Sequence, residues 1–358
     1  MSGIKDVAKL AGVSISTVSN VLNRTRYVSP ELSEKVYNAA KQLSYQADPI
    51  ARGMKANKTG TIGVIVEDIC GVFYPNIVKG INMVANQFGY QTIICDVGGF
   101  SENNKALRTE RKLFEQLVRS RVDGILFVSC VAKDYAGEYL GEIVSMVNQY
   151  KPTPLVSLER DFSAYGITSV YYDCEENTKM AIKHLIDIGC KKITYIAGPD
   201  TLQVAIDRTN GVLECARKYK IDFNPLIQMS KGDYTHQSGY LSMKQLLKDV
   251  PDLDGVFIAN DQMAVGALKL LKEYGKKVPH DIKVIGYDDV FFSSMIEPSL
   301  STIHISKRHA GIDAAKILFS LIEGDDSYKL KSIKKDGRLV IRKSTVSDAP
   351  EDWILADW

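Results

Sequence analysis

The sequence predicts a small all-α helix-turn-helix head followed by a two-lobed α/β core built from two parallel-sheet, Rossmann-like subdomains. Three observations predict it. The first 45 residues carry closely punctuated amphipathic helices, and from Thr61 onward short β-branched runs alternate with helical stretches. Charge divides along the same line: residues 1–60 hold nine Lys/Arg and four Asp/Glu, a net +5, while the rest of the chain holds 36 and 39, a net −3. A basic head on a mildly acidic body is the footprint of a part that meets a polyanion.

The head is read in order. "IKDVAKLAG" places Ile4, Val7, Ala8 and Ala11 on one face and stops at Gly12, a helix punctuator. In "GVSISTVSNVLN", Val18, Val21 and Leu22 share a face, while Ile15, Ser16, Thr17, Ser19 and Asn20 mostly stay outside it. Ser14 is a natural N-cap for this second helix. "SPELSEKVYNAAKQLSY" supplies Ser29 as cap, Pro30 at the first helical position and Val36, Ala40 and Leu43 inward. A tight turn with Gly at the bend, Ala11-Gly12-Val13-Ser14, joins the first two helices, which is the helix-turn-helix arrangement. The next basic segment, "IARGMKANKTGT", is marginal as a helix: Gly53 costs about 1 kcal/mol relative to Ala, and so short a helix does not persist alone in water. It is expected to order only when something holds it.

In the core, "TIGVIV", "QTIICDV", "DGILFVS", "PLVSL", "SVYYD", "KITYIAG", "DGVFIAN" and "KVIGYDD" read as strands. The helical stretches between most of them mark βαβ units and parallel sheets. So long a run exceeds one ordinary sheet domain, which predicts two lobes with a cleft. Ligands of open α/β sheets sit at the carboxyl ends of the strands.

Composition excludes several classes. No run is long enough to span a bilayer, and no apolar signal region opens the chain, so a cytoplasmic location is expected. Six cysteines stand singly without a CxxC pair, which argues for reduced thiols rather than a disulfide framework. His184, His236, His280, His304 and His309 lack metal-ligand spacing. No G-x-G-x-x-G follows a strand, and neither a phosphate-binding loop nor a G-x-S-x-G elbow occurs. Neither catalysis nor a metal or cofactor is expected. The rival readings are a sugar-metabolising enzyme and a solute-binding receptor without DNA binding. The receptor has no use for a basic three-helix head.

On "IKDVAKLAGVSISTVSNVLN", "VSPELSEKV", "ARGMK", "IGVIVEDI", "VDGILFV", "HLIDIGCKKITYIAGP", "ANDQMAVGALKLLKEYG", "VIGYDD", "PSLSTI" and "LVIRKST", the chain resembles the lactose-repressor/galactose-repressor family of bacterial transcription regulators over nearly its whole length. The resemblance implies a homodimer whose heads bind a palindromic operator, and a core similar to periplasmic sugar-binding proteins that senses a small metabolite, usually a carbohydrate. It implies a DNA-binding domain over 1–46, a hinge helix over 47–59 and an effector-binding and dimerisation core over 60–358. The expected N-lobe is 60–160 with 291–322, and the expected C-lobe 162–290 with 323–348.

Carried over residue by residue, Ser14, Ile15, Ser16, Thr17, Ser19, Asn20 and Asn23 form the reading helix and its end, with Ile4 and Tyr27 beside the backbone. Lys5, Arg24, Arg26, Lys55 and Lys58 supply phosphate attraction. Asn20 stands where relatives commonly carry arginine, which pairs with guanine; asparagine prefers adenine. Met54 replaces a leucine that wedges into the minor groove.

For the effector, the resemblance nominates Phe73, Glu159, Arg160, Arg208, Tyr234, Asn260 and Asp288, with Arg208 opposite Asp288 as the pair that fixes a diol. Asp261 is expected to cap a helix starting at Gln262, and Asp289 to stabilise its loop. "CGVFYP" and Cys174 depart from the family pattern, and Leu202 and Val204 replace polar residues of a purine-binding member. Two arginines near the site leave room for an acidic or phosphorylated sugar. The ending "DWILADW" carries no leucine heptad, so a dimer rather than a tetramer is expected.

Overall fold

The computed structural model describes residues 3–23, 26–45, 58–99, 103–328 and 330–350. The expected contributions of Arg24, Met54 and Lys55 fall outside these residues. Two compact units divide after Gly60.

The head consists of α1 (Ile4–Ala11), α2 (Ile15–Asn23) and α3 (Pro30–Gln42). Gly12 ends α1 at φ 68°, and the N–H groups of Gly12 and Val13 both donate to the Ala8 carbonyl. That left-handed cap suits glycine, which has no Cβ to clash. Ser14 Oγ then accepts from the Thr17 N–H at 3.0 Å and starts α2 as a cap. Ser29 occupies the cap position of α3, but its side chain makes no capping bond; Pro30 sets the first turn. Val7, Val18, Val21, Val36 and Ala40 close a small core of their own.

The second unit begins with β1 (Thr61–Val66), α4 (Tyr74–Gln87), β2 (Gln91–Asp96), α5 (Asn103–Arg119), β3 (Gly124–Phe127), α6 (Ala136–Val147), β4 (Leu155–Glu159) and β5 (Thr168–Tyr172). It continues with α7 (Cys174–Asp187), β6 (Ile193–Ala197), α8 (Gln203–Tyr219), the one-turn α9 (Pro225–Gln228), β7 (Met229–Lys231), α10 (His236–Asp249), β8 (Gly255–Ile258), α11 (Asp261–Glu273), β9 (Lys283–Asp288) and β10 (Ser301–His304). α12 (Lys307–Glu323), β11 (Ile333–Lys335) and β12 (Arg338–Val340) complete it. One sheet has the order β11-β5-β4-β3-β1-β2, the other β12-β10-β9-β8-β6-β7. Every pairing is parallel except that of β10 with β12. Strands β3, β6 and β8 are buried along their whole length, as strands covered on both faces must be, and so they read as unbroken apolar runs.

Strand pairing moves the expected lobe boundaries. β5 pairs with β4 in the first sheet, so the chain leaves that lobe between Tyr172 and Cys174, not near residue 161. It returns after β10, which pairs with β9, near residues 305–306 rather than at 291. It leaves again between β11 and β12, not at 323, because β11 pairs with β5. β7, β10, β11 and β12, of three or four residues, carry no strand signal in the sequence; no alternation develops over so short a run.

Each lobe holds helices in backbone contact. A Cβ added to Gly80 of α4 would stand 2.1 Å from the Arg308 carbonyl oxygen of α12, and one added to Gly311 would stand 2.1 Å from that of Ile77. In the other lobe, a Cβ on Gly239 of α10 would meet the Met263 oxygen at 2.1 Å, and one on Gly266 of α11 the His236 oxygen at 1.8 Å.

Candidate functional site

A cavity of about 150 Å³ lies between the two sheets. Its walls come from the carboxyl ends of strands, where the topology directs ligands. Glu67 follows β1, Glu159 ends β4, Tyr172 ends β5 and Asp288 ends β9. Asn260 precedes α11, Tyr234 precedes α10, Arg208 projects from α8, and Phe73 and Tyr74 begin α4. Glu159, Tyr234 and Asp288 all adopt positive φ, at 69°, 69° and 105°. Non-glycine residues seldom do so, and such strain persists where surrounding structure fixes a side chain for a task.

Arg208 and Asp288 are both buried. The guanidinium donates to the Ala259 carbonyl at 2.8 Å, lies 4.0 Å from the centre of the Tyr287 ring and stands 3.8 Å from Asp288 Oδ1. That last contact is an ion pair without a hydrogen bond, and Arg208 Nε and Asp288 Oδ1 have no hydrogen-bond partner in the structure. Both residues line the cavity, where a donor fork beside an acceptor can serve a ligand that carries both an acceptor and a donor. Burial raises the Asp288 carboxyl to about 6, against the opposing pull of Arg208 and Lys307.

On the opposite wall the Tyr74 hydroxyl sits 3.1 Å from Glu67 Oε2 and 3.2 Å from Glu159 Oε2. One phenol proton serves one carboxylate, so the second contact needs a proton from the other carboxyl. Burial raises Glu67 to about 7; burial and then the Glu67 charge raise Glu159 to about 8. The pair therefore holds on to a proton near neutrality.

Six of the seven expected effector residues line this cavity: Phe73, Glu159, Arg208, Tyr234, Asn260 and Asp288. Arg160 does not. Its guanidinium donates to the Ser129 and Val131 carbonyls and packs 4.8 Å from the Phe162 ring centre. Asn260 has a second task, since its side chain accepts from the Met263 N–H at 2.9 Å and donates to the Tyr234 carbonyl at 3.0 Å. This corrects the capping expectation: Asn260 caps α11, whose first residue is Asp261. Asp261 instead accepts from the Val290 N–H and from Ser293 and Thr302, tying α11 to the loop after β9 and to β10. Asp289 pairs with Arg342 at 2.8 Å and with His304 Nδ1 at 2.8 Å. Cys174 and Val204 line the cavity, whereas Leu202 is buried outside it. Sequence reasoning missed Glu67 and Tyr74, although Glu67 obeys the same strand-end rule as Glu159.

In the head, Ser16 is exposed, Ile15 is 45% exposed and Tyr27 is 91% exposed; Thr17, Ser19, Asn20 and Ile4 are half-buried and Lys5 is exposed. Ser14 is taken up by capping and by contacts with the Ser16 and Thr17 hydroxyls at 2.7 and 2.8 Å. Of Asn23, only the backbone, at the end of α2, is described. A short helix thus carries an outward row of small polar groups and one aliphatic residue, the dimensions and chemistry of a major-groove reader.

Comparison with known proteins decides the family. Residues 3–48 match the family described as bacterial regulatory proteins, lacI family, and residues 182–345 match a periplasmic binding protein-like domain. The HTH-type transcriptional repressor PurR of Haemophilus influenzae is 35% identical over 97% of this chain and 99% of its own length. That of Vibrio cholerae is 31% identical over 97% of this chain and 99% of its own. The chain belongs to the lacI family.

As a lacI-family protein it is a DNA-binding transcriptional repressor, not an enzyme. Two solved structures are similar to it in fold. The lac repressor dimer bound to operator and the anti-inducer ONPF is 27% identical, with a TM-score of 0.84 over 96% of this chain and 99% of that one. A complex of the transcriptional regulator CelR with cellobiose is 28% identical, with a TM-score of 0.69 over 96% of this chain and all of the other. Among the described residues no helix is long and apolar enough to cross a membrane.

Proposed function

We propose that this repressor binds a palindromic operator as a homodimer in the cytoplasm and is controlled by a small carbohydrate seated between its lobes. One observation carries the reading: a helix-turn-helix head and a cleft lined by strand-end polar side chains, with Arg208 beside Asp288, occur in a single chain. An arginine fork opposite a carboxylate fits a pair of adjacent hydroxyls, and aromatic rings such as Phe73, Tyr234 and Tyr287 offer faces for the C–H side of a sugar. Cellobiose, with which CelR forms its complex, is a sugar. A planar nucleobase is the second reading, favoured by the same aromatic walls and tested alongside.

Dimerisation is supported by apolar surface on both lobes. Edge strand β2 exposes Ile93 and Ile94, and α9 exposes Leu226 and Ile227. A second copy covers such surface in a self-complementary two-fold contact. Two heads on a two-fold axis match two half-sites one DNA turn apart. Ligand binding changes the angle between the lobes, and residues 47–59 order or melt accordingly; the shift equals the difference in ligand affinity between the two states.

The test removes residues 1–60. Operator binding is expected to vanish in a mobility-shift assay while ligand-induced thermal stabilisation of the remainder survives; loss of that stabilisation would count against a self-contained effector module. A thermal-shift panel of neutral sugars, sugar acids, sugar phosphates and purine bases then separates the two ligand readings. For the head, binding-site selection with Asn20→Arg is expected to move the half-site preference toward guanine at the facing base, by about 1–3 kcal/mol. An unchanged site would mean that residue 20 does not read a base.

A further inference from the structure

The cavity walls carry five carboxyl groups against the single guanidinium of Arg208; those of Asp68 and Asp233 accept bonds within their own turns, which leaves Glu67, Glu159 and Asp288. The two other cations nearby are already committed to backbone. Arg160 serves the Ser129 and Val131 carbonyls, and the buried Lys307 ammonium serves the carbonyls of Asp288, Asp289 and Ile305. An acidic or phosphorylated ligand would therefore bring its charge into an excess of carboxylates with one arginine to receive it, an arginine that already faces Asp288. The expectation of room for a sugar acid rested on Arg160 pointing inward, and it does not.

Glu67 and Glu159 present the opposite opportunity. Both lean on the same Tyr74 hydroxyl, which has one proton to give. A neutral hydroxyl can donate to the pair, but it adds no charge and leaves the retained proton in place. An ammonium group supplies three donors and a positive charge, and aromatic faces around it add cation–π attraction.

We infer that the effector is an amino sugar, its ammonium group seated at the Glu67–Glu159 pair and its hydroxyls on Arg208 and Asp288. The inference rests on the carbohydrate reading above and narrows it. Proton balance follows from the geometry. The free pair retains one proton, which the incoming ammonium displaces to solvent, so binding of the protonated amine releases up to one proton per site. The titratable and charged groups that share this corner are Tyr74 from α4, Glu110 from α5, Cys130 beyond β3, Arg160 beyond β4, Arg208 from α8 and Asp288 at the end of β9. The three last named change the size of the release and not its sign.

The experiment is isothermal titration of the full chain near neutral pH with three matched pairs: glucosamine and glucose, galactosamine and galactose, mannosamine and mannose. Two buffers of different protonation enthalpy report the proton. The amine of at least one pair is expected to bind at least about tenfold more tightly than its neutral partner, with proton release. Glu67→Gln combined with Glu159→Gln should erase that preference; the wild-type comparison stands even if the double variant fails to fold. The inference is overturned if neutral members bind as tightly as amines, if amines bind without releasing a proton, or if no amine binds. Binding of a neutral sugar alone would leave the carbohydrate reading standing. A purine base binding while all six sugars fail would remove both.

Discussion

Arg208→Ala should weaken effector binding by about 2–5 kcal/mol, the cost of truncating one partner of a buried charged pair at an interface. The guanidinium makes four commitments at once: to the Ala259 carbonyl, to the Tyr234 hydroxyl, to the Tyr287 ring and to Asp288 beside it. Alanine removes the fork and leaves Asp288 buried with Lys307, whose ammonium is held by carbonyls, as the remaining cation acting on its charge. Arg208→Lys is expected to recover little, because a point charge cannot reproduce a planar fork. Titration calorimetry measures the affinity, and circular dichroism melts check that the variant is folded. A folded Arg208→Ala protein with unchanged affinity would place the ligand elsewhere.

The second large effect concerns packing. Gly266→Ala puts a methyl group where a carbonyl oxygen stands 1.8 Å away, on the backbone of a neighbouring helix that has no side-chain rotamer to yield. α10 and α11 must separate, and overpacking of this kind costs about 1–3 kcal/mol or more. The expected result is a melting temperature of the core lower by on the order of 5 °C. Gly141→Ala in α6 has the opposite sign: the position is exposed, helical and open within 4 Å of the added atom. There alanine gains roughly 0.5–1 kcal/mol from helix preference. Shifts of the same sign in both variants would refute the close contact between α10 and α11.

How much of the fold is legible in the sequence depends on how local the cause is. Gly12 and Ser14 act through their own turn, so the first two helices and the bend between them are readable from a dozen residues. The buried parallel strands are readable for a related reason, since burial on both faces writes one unbroken apolar run. β11 and β12 are set by what they pair with far along the chain, and nothing in "SIKKDGRLV" announces that. Lobe boundaries escape prediction for the same reason. At the site, strand ends are a good guide to Glu159 and Asp288. Arg160 is misjudged because neighbours along an extended chain point to opposite sides, and the positive φ of Glu159 does not bring both inward. Asn260 and Asp261 both offer a capping oxygen; the extended backbone of Asn260, at φ −151° and ψ 163°, makes it the cap. Tyr74 gives no signal in sequence, because its importance lies in two carboxyls brought to one hydroxyl by three separate elements.

The three passages of the chain between lobes also constrain the order in which the molecule is made. The first sheet takes its last strand from Ile333–Lys335, and the Ser169 amide waits for the Ser332 hydroxyl, 163 residues further on. The second sheet takes its last strand from Arg338–Val340, and Asp289 its guanidinium partner from Arg342. Neither lobe can be finished until residues 332–342 have left the ribosome, while the head, whose contacts are local, can fold as soon as it emerges. During synthesis a folded DNA-reading head therefore precedes the cleft that is proposed to govern it.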